Sequence, residues 1–294
     1  MRLAAVDIGT NSTRVLIADY FQGEITPVWR DLEMTRIGEG VGTSGVINRP
    51  ALARTLNCVA RFLANCSLYE ATKVKIAATS AVRDAKNKCE VAEAIMKRTG
   101  YALEILSGEQ EAELSYLGAI SDYLKGDTAD YAVLDIGGGS TELIYFDGQK
   151  IQYKSVNLGA VRIKEDLGLK VKTGEMLEDL FGKTLPQQLK LVGVGGTITT
   201  LAAIKLELEK YDPEIIHGQT LNKEQIAGVY HVIDKMEIAE RRKIKGLQPG
   251  RADIISYGVY ILLKVMDKLN ITELTVSEKD ILYGMIIRLK NGQC

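Results

Sequence analysis

An internal repeat constrains this chain more than any other feature of its sequence. The segment 6–14, VDIGTNSTR, returns as the segment 134–142, LDIGGGSTE. An apolar run precedes and follows each copy, which predicts a strand, a tight glycine turn and a second strand. A further hairpin turn is expected beyond each copy, at Gln22-Gly23 and at Asp147-Gly148. Two copies in the same setting predict a duplicated domain whose halves face each other across a cleft.

The rest of the chain alternates between strand-like and helix-like segments, which predicts an α/β fold. Apolar spacing predicts helices over Pro50–Asn65, with Asn48 as N-cap, and over Glu90–Thr99, and strands over Val74–Thr79, Ala102–Leu106 and Lys190–Val194. Ser107 and Gln110 have the spacing of a capping box, which starts a helix expected to run to about Leu124. From Asn222 onward most of the pattern is helical. The boundary between the halves is expected in the helix 108–124, before a polar break at 125–130.

Composition narrows the classes of function. Of the 294 residues, 46% are hydrophobic and 26% are charged, which disfavours a disordered or a membrane protein. No apolar run reaches the roughly 20 residues that cross a bilayer, and the N-terminus lacks a signal-peptide pattern. A cytoplasmic location without a membrane partner is therefore expected. The 37 basic residues are balanced by 38 acidic ones, which excludes a global basic field for nucleic acid.

The cysteine and histidine content limits the metals that the chain could hold. The sequence has 4 cysteines, none in a C-x-x-C pair, and 2 histidines. A disulfide scaffold and a zinc site are both disfavoured by this content. Any metal is therefore expected to be a hard cation on oxygen ligands.

The glycine turns of the repeat are suited to binding an anion. Glycines at a hairpin tip let backbone N–H groups converge on an anion, and neighbouring hydroxyls add donors. Asp7 and Asp135 end apolar strands, where a carboxylate is costly to bury unless it binds a cation or its waters. The alternative is a pair of ordinary glycine-rich β-turns, which the duplication disfavours. The candidate phosphate ligands of the turns are Gly9, Thr10, Asn11, Ser12, Thr13, Gly137, Gly138, Gly139 and Ser140.

A third glycine turn, at Gly195, Gly196 and Thr197, lies between a predicted strand and a predicted helix. Free N–H groups at a helix start suit a phosphate, although close packing of helix on strand would explain the glycines equally well. The lysine of a P-loop is missing. The segment 40–45, GVGTSG, matches G-x-G-x-x-G, but the next helix is expected only near Pro50. That segment is therefore interpreted as a mobile surface loop and not as a dinucleotide site.

Glu111 is the candidate general base. At about 100° per residue it lies opposite Glu109 and Glu113 and shares its helix face with apolar and small residues such as Leu114. A carboxylate on an inner face is suited to acid–base work, whereas acidic residues in a first helical turn usually only complement the helix dipole. Arg83 follows a predicted strand and could clamp a phosphate with its planar fork. A solvated loop arginine is equally consistent with the sequence.

Two features of the sequence, a basic cluster and a pair of apolar helices, are each left with two interpretations. The basic cluster 241–245, with Arg251, is interpreted as a solvated face, while a track for a long polyanion stays open. The apolar helical segments 254–266 and 281–289 are equally suited to a core and to a homodimer interface. A homodimer therefore stays open.

Several segments resemble the exopolyphosphatase / guanosine pentaphosphate phosphohydrolase (Ppx/GppA) family, within the actin, sugar-kinase and heat-shock ATPase superfamily. They occur in the family's order over nearly the whole chain, as Asp7–Ser12, Ala78–Arg83, Ser107–Ala112, Asp135–Glu142, His217-Gly218 and Pro249–Asp253. The resemblance implies two ribonuclease-H-like (actin-like) domains that face each other across an interdomain cleft. The expected domains are 1–121 and 122–279, with the C-terminal helix 280–294 as a candidate to complete the first.

The resemblance also implies roles for individual residues. The family's catalytic glutamate, in its Ser-Gly-x-x-Glu-Ala segment, falls on Glu111. The glutamate that closes the second glycine turn falls on Glu142, and with Asp7 and Asp135 it is expected to hold Mg²⁺ or Mn²⁺. One departure concerns the last helix, where this chain has Tyr283 in a place that is often arginine in the family.

Together, these expectations predict that the protein is a phosphohydrolase that releases the terminal phosphate of inorganic polyphosphate. Guanosine pentaphosphate, losing its 5′-terminal phosphate, is the alternative substrate. An ATP-dependent small-molecule kinase of the same superfamily is an alternative of another class, and a nucleotide-sensing protein that has lost catalysis is a third. Phosphate release without an acceptor distinguishes the hydrolase from the kinase.

Overall fold

The protein is described from a computed structural model that covers residues 1–122, 131–181 and 189–292. Two compact units divide the chain: the first contains Met1–Gly118 and Ile281–Cys294, and the second contains Ala119–Asp280. The two units are therefore joined at two places, after Gly118 and after Asp280. Within the part of the chain that is described, every helix is too short or too polar to cross a membrane.

The first unit is built on a five-stranded sheet in the order β3-β2-β1-β4-β5. Its strands are β1 (Arg2–Ile8), β2 (Thr13–Phe21), β3 (Glu24–Glu33), β4 (Lys73–Ala78) and β5 (Leu103–Ile105). The first three strands are antiparallel, and β4 and β5 continue the sheet in parallel to β1. Its helices are α1 (Val41–Ser44), α2 (Arg49–Leu68), α3 (Ser80–Asp84), α4 (Lys88–Thr99), α5 (Gly108–Ala119) and α13 (Ile281–Lys290).

Strand β1 is an almost continuous apolar run because helices cover both faces of its sheet. Ala4, Val6 and Ile8 belong to the core cluster that contains residues of α2 and α4. Leu3 and Ala5 point to the opposite face, into a core cluster that contains residues of α13. Successive side chains of a strand alternate between faces, so one strand contributes to both cores.

The second unit repeats the sheet order and extends it by one strand. Its strands are β6 (Tyr131–Ile136), β7 (Thr141–Phe146), β8 (Ile151–Val156), β9 (Lys190–Val194), β10 (Thr220–Asn222) and β11 (Glu273–Val276). The six-stranded sheet has the order β10-β11-β9-β6-β7-β8. Its helices are α6 (Ala160–Glu165), α7 (Gly168–Phe181), α8 (Gly196–Lys205), α9 (Pro213–Ile216), α10 (Lys223–Ile233), α11 (Ile238–Arg241) and α12 (Ile255–Leu269). Strands β8-β7-β6-β9-β11 thus correspond to β3-β2-β1-β4-β5, which confirms the duplicated, actin-like α/β fold.

Most local expectations are confirmed. Asn48 caps α2 by accepting a hydrogen bond from the N–H of Ala51. The capping box of α5 is complete, because the Ser107 hydroxyl accepts from the Gln110 N–H at 3.2 Å and the Gln110 side chain accepts from the Ser107 N–H at 2.9 Å. The apolar faces of α12 and α13 lie in the cores of their own units, as one of their two interpretations predicted, while a homodimer stays a prediction.

Three local expectations need correction. Helix α5 ends at Ala119 and not near Leu124, and the expected polar break at 125–130 lies outside the described residues. The segment 40–45 contains one helical turn, α1, where a loop was expected. The mostly helical C-terminal region also contains β11, a four-residue strand that is too short to give a clear alternating pattern.

Candidate active site

The two repeat turns have the same backbone geometry. In the first unit the N–H of Gly9 donates to the carbonyl of Ser12 at 2.9 Å, and in the second the N–H of Gly137 donates to the carbonyl of Ser140 at 3.0 Å. The strand–turn–strand prediction is therefore confirmed in both copies. The N–H groups that follow each first glycine, at 10–12 and at 138–140, have no hydrogen-bond acceptor among the described residues. Consecutive N–H groups of this kind at a glycine turn are suited to binding an anion.

Hydrogen bonds from the segment 36–38 to the backbone carbonyl groups of the first turn hold that turn in place. The carbonyl of Asn11 accepts from the N–H of Arg36, and that of Thr10 accepts from the N–H of Gly38, each at 2.9 Å. The hydroxyl of Thr10 lies 2.8 Å from that of Ser80, the first residue of α3. These contacts hold the backbone of the first turn in place from the neighbouring segments.

The threonine at the base of each turn is structural. Thr13 and Thr141 are both fully buried. The Thr13 hydroxyl lies 2.8 Å from that of Thr35, and the Thr141 hydroxyl donates to the carbonyl of Leu158 at 2.6 Å. Thr13 is one of the candidate phosphate ligands, but its hydroxyl is buried and inaccessible. Its side chain instead packs beneath the turn and pairs with Thr35.

The aspartates of the two repeats face different partners. Asp7 is directly opposite Arg14 across β1 and β2, and Asp135 is directly opposite Glu142 across β6 and β7. Asp7 is almost fully buried, and Arg14 donates to its Oδ2 from Nη2 at 2.6 Å and from Nε at 3.1 Å. The duplicated position therefore carries an ion pair in the first unit and two carboxylates in the second.

The donor set of the second unit fits a hard divalent cation. Two carboxylates directly opposite in an antiparallel pair repel each other unless a cation or donor lies between them. Ser155 supplies one donor, because its hydroxyl donates to Glu142 Oε1 at 2.9 Å. No cluster of three or more His, Cys, Asp or Glu side chains suited to a metal occurs within 1–122, 131–181 and 189–292. Mg²⁺ is commonly held by only one or two carboxylates, with waters and substrate phosphates completing its shell.

The third glycine turn lies beside the second repeat turn, because β6 and β9 are adjacent parallel strands. Gly195 has φ 82° and ψ 169°, and a Cβ on it would lie 2.2 Å from Asp135 Oδ1. Gly196 and Thr197 begin α8, so their N–H groups are at a helix N-terminus. Thr197 is buried, and its hydroxyl is 3.4 Å from the carbonyl of Ile136. Gly195 therefore allows a close approach of the turn to the carboxylate of Asp135, and Gly196 allows a close approach of the Arg251 guanidinium.

Arg251 supports the third turn, a role that the sequence did not indicate. Its Nη1 donates to the carbonyl of Gly196 at 2.7 Å and to the hydroxyl of Thr200 at 2.9 Å. Arg241 is likewise not on a solvated face, because it is buried and donates to the carbonyls of Met236 and Ala252 and to the Ser256 hydroxyl. The interpretation of the basic cluster as a solvated face is therefore wrong for these arginines.

Glu111 lies on the inner face of α5, as its spacing indicated. Glu109 and Glu113 are exposed, whereas Glu111 is half-buried next to the buried Leu114. Arg83 Nη1 donates to Glu111 Oε2 at 2.6 Å and to the carbonyl of Leu106 at 3.2 Å. Burial raises the pKa of Glu111 above its ordinary value, and the Arg83 guanidinium partly offsets this rise.

The first unit thus places several candidate groups at one edge of its sheet. The turn at 9–12, helix α3 with Arg83 and helix α5 with Glu111 follow β1, β4 and β5, whose carboxyl ends meet at the same edge. Asp7 is close enough to raise the pKa of Glu111 by its negative charge. Glu111 is therefore a half-buried carboxylate paired with an arginine, which is suited to acid–base chemistry.

Comparisons with known proteins agree with the fold and show the family. The duplicated sheet order defines an actin-like protein, and a crystal structure of a Ppx/GppA family member from Aquifex aeolicus superposes with a TM-score of 0.88 at 29% identity, covering 100% of this chain and 98% of that chain. The model of the Ppx/GppA phosphatase family matches residues 16–291. Exopolyphosphatase 2 of Mycobacterium tuberculosis is 33% identical, over 98% of this chain and 98% of that protein.

A guanosine-5′-triphosphate,3′-diphosphate pyrophosphatase of Aliivibrio fischeri is 25% identical, over 99% of this chain and 60% of that protein. The chain belongs to the Ppx/GppA phosphatase family.

Proposed function

We propose that this protein releases the terminal phosphate of inorganic polyphosphate by attack of water. The observation that carries the proposal is the geometry of Glu111, a half-buried carboxylate with a raised pKa that lies 2.6 Å from Arg83. The full-length similarity to an exopolyphosphatase supports the choice of substrate. A polyphosphate chain also suits turns that present backbone N–H groups.

The phosphates would be held by backbone amides more than by side chains. We propose that the N–H groups at 10–12 and 138–140 and those at the start of α8 bind phosphate oxygens. Hydroxyls of Thr10, Ser12 and Ser140 would add donors, and Arg83 would hold Glu111 and an oxygen of the substrate with the same fork. The N-terminal dipole of α8 adds attraction for negative charge.

Asp135 and Glu142, with Asp7, are the proposed holders of Mg²⁺ or Mn²⁺, directly or through water. The cation would neutralise the negative charge that develops on the phosphate oxygens. The like-charged pair of the second unit supports this assignment, and the pairing of Asp7 with Arg14 makes Asp7 the weaker ligand of the set.

Glu111 would orient a water molecule in line with the terminal phosphorus and accept its proton. The water oxygen forms the new P–O bond, the bridging P–O bond breaks, and the shortened chain leaves with its electron pair as an anion. The proton is held at the Glu111 carboxylate until orthophosphate departs. Positioning and electrostatic stabilisation supply most of the acceleration in such a reaction. The raised pKa makes this carboxylate a stronger base than an exposed glutamate.

Guanosine pentaphosphate is the second candidate substrate, because one relative that spans this chain is a guanosine-5′-triphosphate,3′-diphosphate pyrophosphatase. The same turns and the same glutamate would serve its 5′-terminal phosphate. Phosphate release should be measured from polyphosphate of defined lengths, guanosine pentaphosphate and ATP, each with and without divalent metal. The proposal expects the highest kcat/KM on polyphosphate and loss of turnover without metal. A higher kcat/KM on guanosine pentaphosphate would make that nucleotide the preferred substrate in place of polyphosphate. Strict dependence on an acceptor alcohol would indicate a kinase.

A further inference from the structure

The carbonyl groups of the second repeat turn are held by the start of helix α6. The N–H of Ala160 donates to the carbonyl of Gly137 at 3.1 Å, and the N–H of Val161 donates to that of Gly138 at 2.9 Å. The backbone N–H of Arg162 also donates to the Gly138 carbonyl, at 3.2 Å. The first N–H groups of a helix have no partner within that helix, so the turn and α6 satisfy each other's backbone groups.

The next carbonyl of this turn is held by a side chain. Arg162 Nε donates to the carbonyl of Gly139 at 2.6 Å. Within 1–122, 131–181 and 189–292, this is the one hydrogen bond of the Arg162 side chain, which makes no ion pair there and is exposed. A substitution of Arg162 therefore removes this bond without opening a core.

The first unit holds the matching carbonyl with a backbone group. Aligning the two repeats places Asn11 at the position of Gly139. The carbonyl of Asn11 accepts from the backbone N–H of Arg36 at 2.9 Å, whereas that of Gly139 accepts from the Arg162 side chain. Both units therefore hold this carbonyl, and in the second unit its donor can be removed by a substitution.

Holding these carbonyls sets the direction of the N–H groups of the turn. In a planar trans peptide, the C=O of one residue and the N–H of the next residue point in opposite directions. The carbonyls of residues 137–139 point towards the start of α6, so the N–H groups of residues 138–140 point away from it. The hydrogen bond from Arg162 to Gly139 therefore fixes the direction of the Ser140 N–H.

We propose that Arg162 is a positioning residue that keeps the second repeat turn in its phosphate-binding conformation. This inference rests on the proposed function and adds to it a residue that acts through the turn. Glycine loses more conformational freedom on ordering than any other residue, and this turn has three in succession, at 137–139. A turn that its carbonyl contacts have already ordered binds an anion without that entropic cost. Arg162 supplies the contact at the last of these glycines.

The test compares Arg162→Met with Arg162→Gln. In glutamine, Nε2 follows Cδ as Nε does in arginine, so Arg162→Gln keeps a donor for the Gly139 carbonyl and loses the charge, whereas Arg162→Met loses both. We expect Arg162→Met to raise the KM for polyphosphate roughly tenfold and to change kcat less than about twofold. Arg162→Gln should stay within about threefold of the wild-type KM. An equal rise in KM for both variants, an unchanged KM in Arg162→Met, or a fall in kcat at constant KM would overturn the inference.

Lys164→Gln is the matched control for charge. Lys164 is an exposed residue of the same helix, and its ammonium group pairs with Asp253 and not with the turn. A general attraction between basic side chains and polyphosphate would raise KM in Lys164→Gln as much as in Arg162→Met. We expect Lys164→Gln to leave KM unchanged. An equal rise in the control would show that charge is responsible, and would overturn the role of the contact with Gly139.

Gly159 allows an independent perturbation of the same contact. A Cβ on Gly159 would lie 2.3 Å from the carbonyl oxygen of Gly138, so Gly159→Ala must move the start of α6 and the turn apart. Gly174 in α7 is the control, because no atom of the described residues lies within 4 Å of an added Cβ there. We expect Gly159→Ala to raise KM at least as much as Arg162→Met does, and Gly174→Ala to leave it unchanged. A folded Gly159→Ala with the wild-type KM would overturn the inference; if Gly159→Ala does not fold, the Arg162 variants decide.

Calorimetric binding of tripolyphosphate does not depend on turnover. The Kd should rise roughly tenfold in Arg162→Met and stay within about threefold of wild type in Arg162→Gln. Unchanged binding in Arg162→Met, or no binding of tripolyphosphate by wild type, overturns the inference even if polyphosphate is hydrolysed. Absence of turnover in wild type on every phosphoanhydride would instead overturn the proposed function, and the binding measurement would still decide the role of Arg162.

Discussion

Replacing Gly195 by alanine tests whether the third turn depends on its contact with Asp135. Gly195 has φ 82° and ψ 169°, a region that is essentially reserved for glycine and costs another residue about 1–3 kcal/mol. The added Cβ would also lie 2.2 Å from Asp135 Oδ1, so the carboxylate or the turn must move by about 1 Å. A displacement of about 1 Å at a reacting centre can cost roughly 100-fold in rate. We therefore expect Gly195→Ala to lose both stability and at least about 100-fold in kcat/KM.

Substitutions of two other glycines distinguish the two causes of this loss, which are backbone strain and the close contact with Asp135. Gly148 has φ 93° but no atom within 4 Å of an added Cβ, so Gly148→Ala should lose about 1–3 kcal/mol of stability and keep wild-type turnover. Gly228 lies in α10 with no atom within 4 Å, so Gly228→Ala should gain about 0.5–1 kcal/mol. Denaturant unfolding and phosphate release measure the two effects. Normal turnover in Gly195→Ala would refute the reasoning that this close approach organises the site.

Three further predictions follow from the electrostatics. Arg83→Gln removes the cation that lowers the pKa of Glu111, so the acid limb of kcat/KM should move to higher pH; an unmoved limb contradicts the proposed pairing. Hydrogen bonding from His217 lowers the pKa of Asp122 from 3.8 to about 2, so stability present above pH 3.8 is lost as the pH falls towards 2. Asp122→Asn should therefore unfold with a shallower acid dependence, and an identical acid curve would argue against the pair. Arg241→Met should lose more than about 2 kcal/mol in urea unfolding because it leaves buried acceptors unpaired, whereas the exposed Arg242→Met should stay within about 0.5 kcal/mol.

The features that could be predicted are those that depend on local spacing. The strand–turn–strand structure of both repeats could be predicted because it depends on the turn glycines and on the flanking apolar runs, and not on distant residues. The inner position of Glu111 followed from the rotation per residue of α5. The C-terminal end of α4 at Thr99 and its glycine C-cap at Gly100 likewise depend on neighbouring residues alone.

The different partners of the two aspartates could have been found in the sequence. Aligning the repeats places Arg14 at the position of Glu142, and the four-residue turns put each of them opposite its aspartate. The identities between the repeats lie at the matched positions, whereas the chemical difference lies at the position that does not match. The ion pair of Asp7 and the carboxylate pair of Asp135 are therefore predictable from register.

Contacts between distant segments could not be predicted. Tyr211 meets Glu278 because the sheet order brings the ends of β9 and β11 side by side, and Arg251 meets Gly196 because α12 packs against α8. Arg241 is in a helix of four residues, which is too short for periodicity to separate a buried from a solvated face. Charge alone favoured solvation there, and only the surrounding carbonyl groups show why the arginine is buried.

The central claim is that Glu111 moves the proton while other groups hold the phosphates, and Glu111→Gln tests it most directly. The control is Glu113→Gln, which neutralises an exposed glutamate of the same helix. Single-turnover phosphate release and calorimetric binding of tripolyphosphate should be measured on both variants and on wild type. We predict that Glu111→Gln binds tripolyphosphate as wild type does and loses at least about 100-fold in the rate of release, while Glu113→Gln is unaffected. Release at the wild-type rate by Glu111→Gln would contradict the account.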